Sequence, residues 1–128
     1  LVHGMGYYYT LHCGITHGLA NALLLAPVFR HNALFLPEKV AVLAGALGVD
    51  CSPTQSSAAA GIQEALSALF ETLDVSPRAS DHGVRSSQLA FFAQHILTEP
   101  GRFRNQPGEF AADQVLRLFK ESFNGCPA

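Results

Sequence analysis

The fold class of this 128-residue chain is decided by the stretch Ile62-Gln63-Glu64-Ala65-Leu66-Ser67-Ala68-Leu69-Phe70-Glu71-Thr72-Leu73. Its apolar side chains recur every three or four residues, which is the period of an α-helix with one buried face. This stripe contains Ile62, Ala65, Leu66, Leu69, Phe70 and Leu73. We therefore predict a helix from Thr54 to Leu73 that packs against a core along the stripe.

The same helical period continues on both sides of this stretch, and no segment alternates apolar and polar residues as a half-buried strand does. One helix, over about 16–32, is apolar on most sides, and Pro27 is expected to kink it or end it. Three more helices are predicted. The first begins at Pro37 and is capped by Gly48, the second is capped by Ser86 and stopped by Pro100, and the third covers about 110–123. The predicted inward residues are Val40, Leu43, Ala44, Leu47, Leu89, Phe92, Ala93, Ile96, Ala111, Val115, Leu118 and Phe119.

These elements predict an all-α bundle of about five helices that forms a single domain over residues 1–128. The segment from Val49 to Pro53 is predicted to be a loop, and no repeat or internal domain boundary is visible. The chain begins at Leu1 without a targeting segment, so we expect it to belong to a longer protein.

Composition excludes two classes of partner. Charged residues make up 14% of the chain and the formal net charge is −2, so no basic field exists to bind nucleic acid or an anionic membrane. The longest apolar stretch, Leu19 to Phe29, is shorter than the ~20 residues that cross a bilayer. Arg102 and Arg104 form the only basic cluster, which we interpret as an ordinary solvated loop.

The cysteines indicate a reducing compartment. Cys13, Cys51 and Cys126 are odd in number and irregularly spaced, so they complete neither a disulfide framework nor a zinc-finger pattern. We therefore expect a cytoplasmic protein.

Residues able to bind a metal are concentrated at the start of the chain, where His3, His12, Cys13 and His17 occur without any Asp or Glu. Neutral imidazole suits zinc, ferrous iron or nickel, whereas magnesium prefers oxygen ligands. Cys13 and His17 would share a helix face, but Gly14 favours a turn between them, so their pairing stays open. Spacing alone also permits histidines that simply form hydrogen bonds in a partly buried contact.

Other patterns give no site. The run Gly4-Met5-Gly6 begins like a dinucleotide fingerprint, but Tyr9 occupies the third glycine position and no strand precedes it. No Gly-x-Ser-x-Gly motif accompanies Asp81-His82, which we interpret as a solvated turn. We interpret Cys13 as a small buried residue. His31 and His95 are interpreted as helix-surface or core-edge residues, and Tyr7-Tyr8-Tyr9 as packing residues.

The order of residues is more specific than their spacing. Leu1-Val2-His3-Gly4-Met5 is followed by His17-Gly18-Leu19-Ala20-Asn21-Ala22, so the two histidines are separated by 14 positions in sequence number. This pattern resembles the signature of the group III iron-containing alcohol dehydrogenases. The resemblance continues through Pro37-Glu38-Lys39-Val40 to Leu47-Gly48, and more loosely to Gly83-Val84 and Asn105-Gln106-Pro107.

The resemblance implies a function. It makes His3 and His17 ligands of Fe²⁺ or Zn²⁺, and it places Tyr7 beside the substrate pocket, at the position where many members have a second histidine. It also implies that an Asp and a His from an earlier helix complete the metal site and that an upstream lobe binds NAD(P). Such an enzyme interconverts primary alcohols and aldehydes, and we expect this chain to be inactive alone because nothing in it can hold a pyrophosphate.

The pattern departs from the family in a second place, where Ala26 replaces the family's proline and Pro27 follows it. A second hypothesis is a stand-alone helical module, derived from that family, that acts in self-association or partner binding without catalysis. An apolar face left uncovered by an absent lobe would favour a homo-oligomer.

Overall fold

The computed structural model describes residues 1–49, 55–108 and 110–126, and within these ranges the chain is all-α and contains no strand. Two short 3-10 helices, Ala79–His82 and Pro100–Phe103, accompany six α-helices. The α-helices are α1 (Val2–Cys13), α2 (His17–Ala33), α3 (Pro37–Ala46), α4 (Gln55–Thr72), α5 (Ser86–Ile96) and α6 (Ala112–Asn124). The prediction of an all-α fold is confirmed, with one helix more than the five located in the sequence.

Helix α1 is the element that sequence periodicity missed. It contains two glycines and a run of three tyrosines, which have low helix propensity and form no one-sided stripe. Gly14 adopts a left-handed conformation (φ 71°) and ends α1, and Thr16 precedes the first residue of α2. The predicted turn after Cys13 is therefore confirmed.

Pro27 does not end α2, which continues to Ala33. The proline ring is fully buried, and Gln63 on α4 donates a hydrogen bond from Nε2 to the carbonyl of Ala26 (3.0 Å). Burial and this contact hold the helix where the proline removes a backbone donor.

The main core lies between α1, α2, α5 and α6. Its fully buried side chains include Met5, Tyr9, Leu24, Phe92, Ile96, Leu118 and Phe119. A smaller cluster joins the end of α2 to α3 and α4 and contains Ala33, Val40, Ala44, Ala58 and Ile62. The inward residues predicted for α5 are confirmed, as are Val115, Leu118 and Phe119 of α6.

Two predicted stripes are only partly buried. Leu43 and Leu47 on and after α3 are exposed, and so are Leu69 and Leu73 at the end of α4. Ala65 and Ala111, also predicted to face inward, are exposed as well. These predictions were wrong because helical period shows that a face is apolar but not that a partner covers it.

Helix boundaries differ from the predicted ones by one to three residues, and the largest difference is at the end of α5, which stops at Ile96 rather than just before Pro100. Ser86 is the first residue of α5 rather than its cap, and the backbone N–H of Arg85 donates to Gln88 (2.9 Å).

Cys51 and most of the predicted loop from Val49 to Pro53 lie outside the described residues, and so does the predicted helix start at Thr54. No helix in the described ranges is long and apolar enough to cross a membrane.

Candidate functional site

The structure brings His3 of α1 and His17 of α2 into contact. Nε2 of His17 lies 3.1 Å from Nδ1 of His3, and the two ring planes are nearly perpendicular, with centroids 4.7 Å apart. The turn at Gly14 makes this possible, because it returns the chain so that the first turns of both helices lie side by side.

The spacing of these nitrogens suits one metal ion between them. Zinc–nitrogen bonds of about 2.0–2.1 Å in tetrahedral geometry place two ligand nitrogens about 3.3 Å apart. The side-chain amide Nδ2 of Asn21 also lies 3.2 Å from Nε2 of His17. A ring nitrogen carries one hydrogen or one in-plane lone pair, so it cannot form a good hydrogen bond with both neighbours at once. The residues present therefore fit a partial transition-metal site.

Tyr7 forms one wall of this site. It lies one helical turn after His3, and its ring centroid is 4.9 Å from that of His3 and 5.1 Å from that of His17. The side chain is 36% exposed, so its other edge faces solvent.

A polar network on the far side of Tyr7 connects α1 to the 3-10 helix Pro100–Phe103. The hydroxyl of Tyr8 donates to Oε1 of Glu99 (2.9 Å), and Nε of Arg102 donates to Oε2 of the same carboxylate (2.9 Å). These hydrogen bonds hold the pKa of Glu99 below its usual range. Burial, and to a smaller extent the hydrogen bond to Glu99, raises the pKa of Tyr8 to about 12. The guanidinium carbon of Arg102 lies 4.9 Å from the centroid of the Tyr7 ring.

His12 and Cys13 do not join the histidine pair. The His12 ring packs against Tyr8, Phe91 and Phe92, and Sγ of Cys13 lies 3.6 Å from Oε1 of Gln88. Cys13 is half-buried rather than buried, and burial raises the pKa of its thiol. Among the described residues, no group of three or more His, Cys, Asp or Glu side chains could hold a metal ion.

The remaining candidates lie in structural positions. Asp81 is exposed and accepts hydrogen bonds from Ser76 and Arg78, in the turn that Gly83 (φ 92°) ends. His95 is exposed and bonds to the carbonyl of Phe91. His31 is 5% exposed and so is more buried than predicted, with its ring between Phe35 and Phe110.

Sequence reasoning missed the role of Arg102, which we had interpreted as part of a solvated loop. The residue is half-buried against Gly4 and Tyr7, close to the histidine pair. Its only local signal is Glu99 three residues earlier, a spacing that permits an ion pair but says nothing of a contact with α1, almost a hundred residues away.

An apolar cavity lies between the start of α2 and the end of α4. Its volume is about 240 Å³, and it is lined by Gly18, Leu19, Ala22, Leu69, Phe70, Leu73 and Val75. Neither His3 nor His17 lines it, although Gly18 follows His17 directly in α2.

Curated proteins of known activity are similar to almost the whole chain. A sulfoacetaldehyde reductase of Bilophila wadsworthia (strain 3_1_6) is 29% identical over 126 residues, which are 96% of this chain and 33% of the relative. A lactaldehyde reductase of Escherichia coli (strain K12) is 32% identical over 120 residues, 93% of this chain and 31% of the relative. The chain thus spans about a third of the length of these relatives.

The fold has a counterpart in a solved structure. A 1,3-propanediol oxidoreductase superposes with a TM-score of 0.86 at 26% identity, over 95% of this chain and 32% of that one. The sequence model of the Fe-containing alcohol dehydrogenase family, C-terminal, matches residues 1–123. With this match over nearly its full length and an all-α fold, this chain belongs to the Fe-containing alcohol dehydrogenase family and corresponds to its C-terminal part.

Proposed function

We propose that this chain is the metal-binding helical portion of an NAD(P)-dependent alcohol dehydrogenase that interconverts primary alcohols and aldehydes. The observation that carries the proposal is the contact between His3 and His17, the two residues that match the family's ligand positions. The relatives named as reductases of sulfoacetaldehyde and lactaldehyde support a small aldehyde as substrate.

In this proposal, His3 and His17 supply two nitrogen ligands to Fe²⁺ or Zn²⁺. When bound, the cation supplies Lewis-acid polarisation of the alcohol oxygen. Asn21 contacts His17 and, together with the perpendicular ring of His3, limits how the His17 imidazole can turn. The Tyr7 ring packs on both imidazoles and keeps water from that side.

The nucleotide would be bound by an upstream lobe, since the chain contains no glycine-rich fingerprint after a strand. Two histidines also leave a metal site short of the three protein ligands that catalytic zinc sites use. We therefore propose that the chain has no dehydrogenase activity alone and forms a single domain of a longer enzyme.

A chimera tests this proposal. The upstream two thirds of the E. coli lactaldehyde reductase, fused before Leu1, should yield metal-dependent NAD(P)H oxidation with lactaldehyde, whereas the 128-residue chain alone should yield none. His3→Ala or His17→Ala in the chimera should abolish turnover, and Cys13→Ser should retain it. Turnover by the isolated chain, or a folded chimera whose activity survives both histidine substitutions, would contradict the proposal.

A second candidate function is self-association. Exposed apolar side chains on α3 and at its C-terminal cap, with Val42 74% and Leu47 54% exposed, favour it because monomers rarely leave a large apolar patch uncovered. Sedimentation of the chain should then show a homo-oligomer that Val42→Asp dissociates. The exposed Ala41→Asp, on the same helix, serves as a control for added charge. A monomer at all concentrations would exclude this function for the isolated chain.

A further inference from the structure

We propose that Arg102 is a positioning residue of this site, whose guanidinium, anchored by Glu99, holds the Tyr7 ring against His3 and His17. The inference rests on the proposed function for its meaning, because the ring closes one side of a pair that would bind metal. The contacts among Arg102, Glu99 and Tyr7 do not depend on whether a metal binds.

The anchoring is specific. Both Nε and Nη2 of Arg102 lie 2.9 Å from Oε2 of Glu99, a two-nitrogen contact that fixes the plane of the guanidinium. The other oxygen of Glu99 accepts the hydroxyl of Tyr8, whose ring is buried in the core. The orientation of Arg102 is therefore tied to the rigid part of α1 and not to the loop alone.

Gly4 provides space for the stem of Arg102. A Cβ atom at Gly4 would lie 2.9 Å from Cδ of Arg102 and 3.3 Å from its Cβ, both closer than ordinary contact. The arginine stem thus crosses α1 directly after His3, at a glycine, where the helix has no side chain. This crossing places the guanidinium over the Tyr7 ring, one helical turn further on.

The contact gives Tyr7 a fixed position. An exposed tyrosine at the surface of a helix would otherwise sample several χ1 rotamers. Here one side of the residue packs on the imidazoles and a cation lies against the ring, an arrangement that cation–π attraction favours. The side of the histidine pair that Tyr7 covers is closed to solvent as long as Arg102 stays in place.

Nuclear magnetic resonance of the whole chain without metal tests this directly. The ring protons of His3 and His17 should carry ring-current shifts from Tyr7. Their chemical shifts in Tyr7→Leu give the reference values without that ring. We expect Arg102→Met to move both histidines toward the Tyr7→Leu positions. Glu99→Gln should move them in the same direction but less, because it weakens the anchor without removing the cation.

Gly4→Ala is a second test that changes neither a charge nor Tyr7. The added methyl group should displace the arginine stem and produce the same histidine shifts. Gly45→Ala is the matched control, since it makes the same change inside α3, where no atom of the described residues lies within 4 Å of the added atom. Amide resonances of Tyr9 and Phe92 report whether each variant keeps its core.

The outcomes separate this inference from the proposed function. If Arg102→Met leaves both histidines at their original positions while Tyr7→Leu moves them, Arg102 does not hold the ring. Histidine signals unmoved by Tyr7→Leu would overturn the inference as well. A chimera without metal-dependent turnover would refute the proposed function and leave these shifts unaffected. If Gly4→Ala does not fold, Arg102→Met still decides the question.

Discussion

Nε2 of His17 and Nδ1 of His3 lie 3.1 Å apart across the first turns of two different helices. The connection between these helices is short: α1 ends at Cys13 and α2 starts at His17, so only three residues turn the chain between them. Two neutral imidazoles this close can share one hydrogen or one cation.

Metal uptake by the isolated chain should be weak and should depend on both histidines. Two imidazole ligands compete poorly with water and buffer for a transition metal. A titration with Co²⁺ or Zn²⁺ should therefore show weak uptake that either His3→Ala or His17→Ala removes. Cys13→Ser and His12→Ala should change it little, because both residues contact other partners. A tight site, or thiolate bands in the cobalt spectrum, would refute this assignment.

Tyr9→Phe should lower the free energy of unfolding by about 1–3 kcal/mol, the cost of leaving a buried polar group unpaired. The Tyr9 hydroxyl lies 3.2 Å from Oγ of Ser122, which is fully buried between α1 and α6. Urea unfolding of Tyr9→Phe, Ser122→Ala and the double variant measures the coupling. The double variant should lose less than the sum of the single ones. Strict additivity would show that the two hydroxyls do not interact.

The sequence predicted helices wherever apolar residues form a stripe against the core, as in α5, where all four expected residues are buried. It failed at α1, whose core side chains Met5, Tyr8 and Tyr9 have helical spacing but lie among glycines and polar residues, so their stripe is too short to predict a helix. It also placed Leu69 and Leu73 in the core, because apolar periodicity cannot distinguish a covered face from an exposed one.

The contact between the two histidines could be predicted from the sequence, but the contacts of Arg102 could not. Motif order identified His3 and His17, and the structure brings them together. The contacts of Arg102 with Gly4 and Tyr7 arise from packing between residues almost a hundred positions apart, for which a single sequence carries no local signal.

Stability should fall as the pH drops below 6.5, the ordinary pKa of His31, and this residue should account for a measurable part of the loss. Burial first, and then the charge of Arg117, lower its pKa, while Glu121 opposes them. Both ring nitrogens are buried, and neither has a hydrogen-bond partner among the residues that the structure describes. The unfolded chain therefore binds a proton that the folded chain excludes, so stability present above pH 6.5 is lost as the pH falls toward the folded pKa.

Denaturant unfolding between pH 8 and pH 5.5 measures this effect. His31→Leu should unfold with a smaller difference in free energy between the two pH values than the original chain. His95→Gln, a change at an exposed histidine, should keep the original difference. An unchanged pH dependence in His31→Leu would show that His31 titrates equally in both states.

The two substitutions Gly6→Ala and Gly45→Ala should change stability in opposite directions, although each adds one methyl group inside a helix. Alanine favours a helix over glycine by about 0.5–1 kcal/mol, so Gly45→Ala should raise the free energy of unfolding by about that amount. In the part of the chain that the structure describes, no atom lies within 4 Å of the added one there. At Gly6 a Cβ would overlap Oδ1 of Asn21, the residue that also contacts His17. Separating α1 from α2 enough to admit the methyl group should cost about 1–3 kcal/mol, more than the helix gains. Urea midpoints of both variants test this, and a Gly6→Ala chain as stable as Gly45→Ala would show that the two helices can separate without cost.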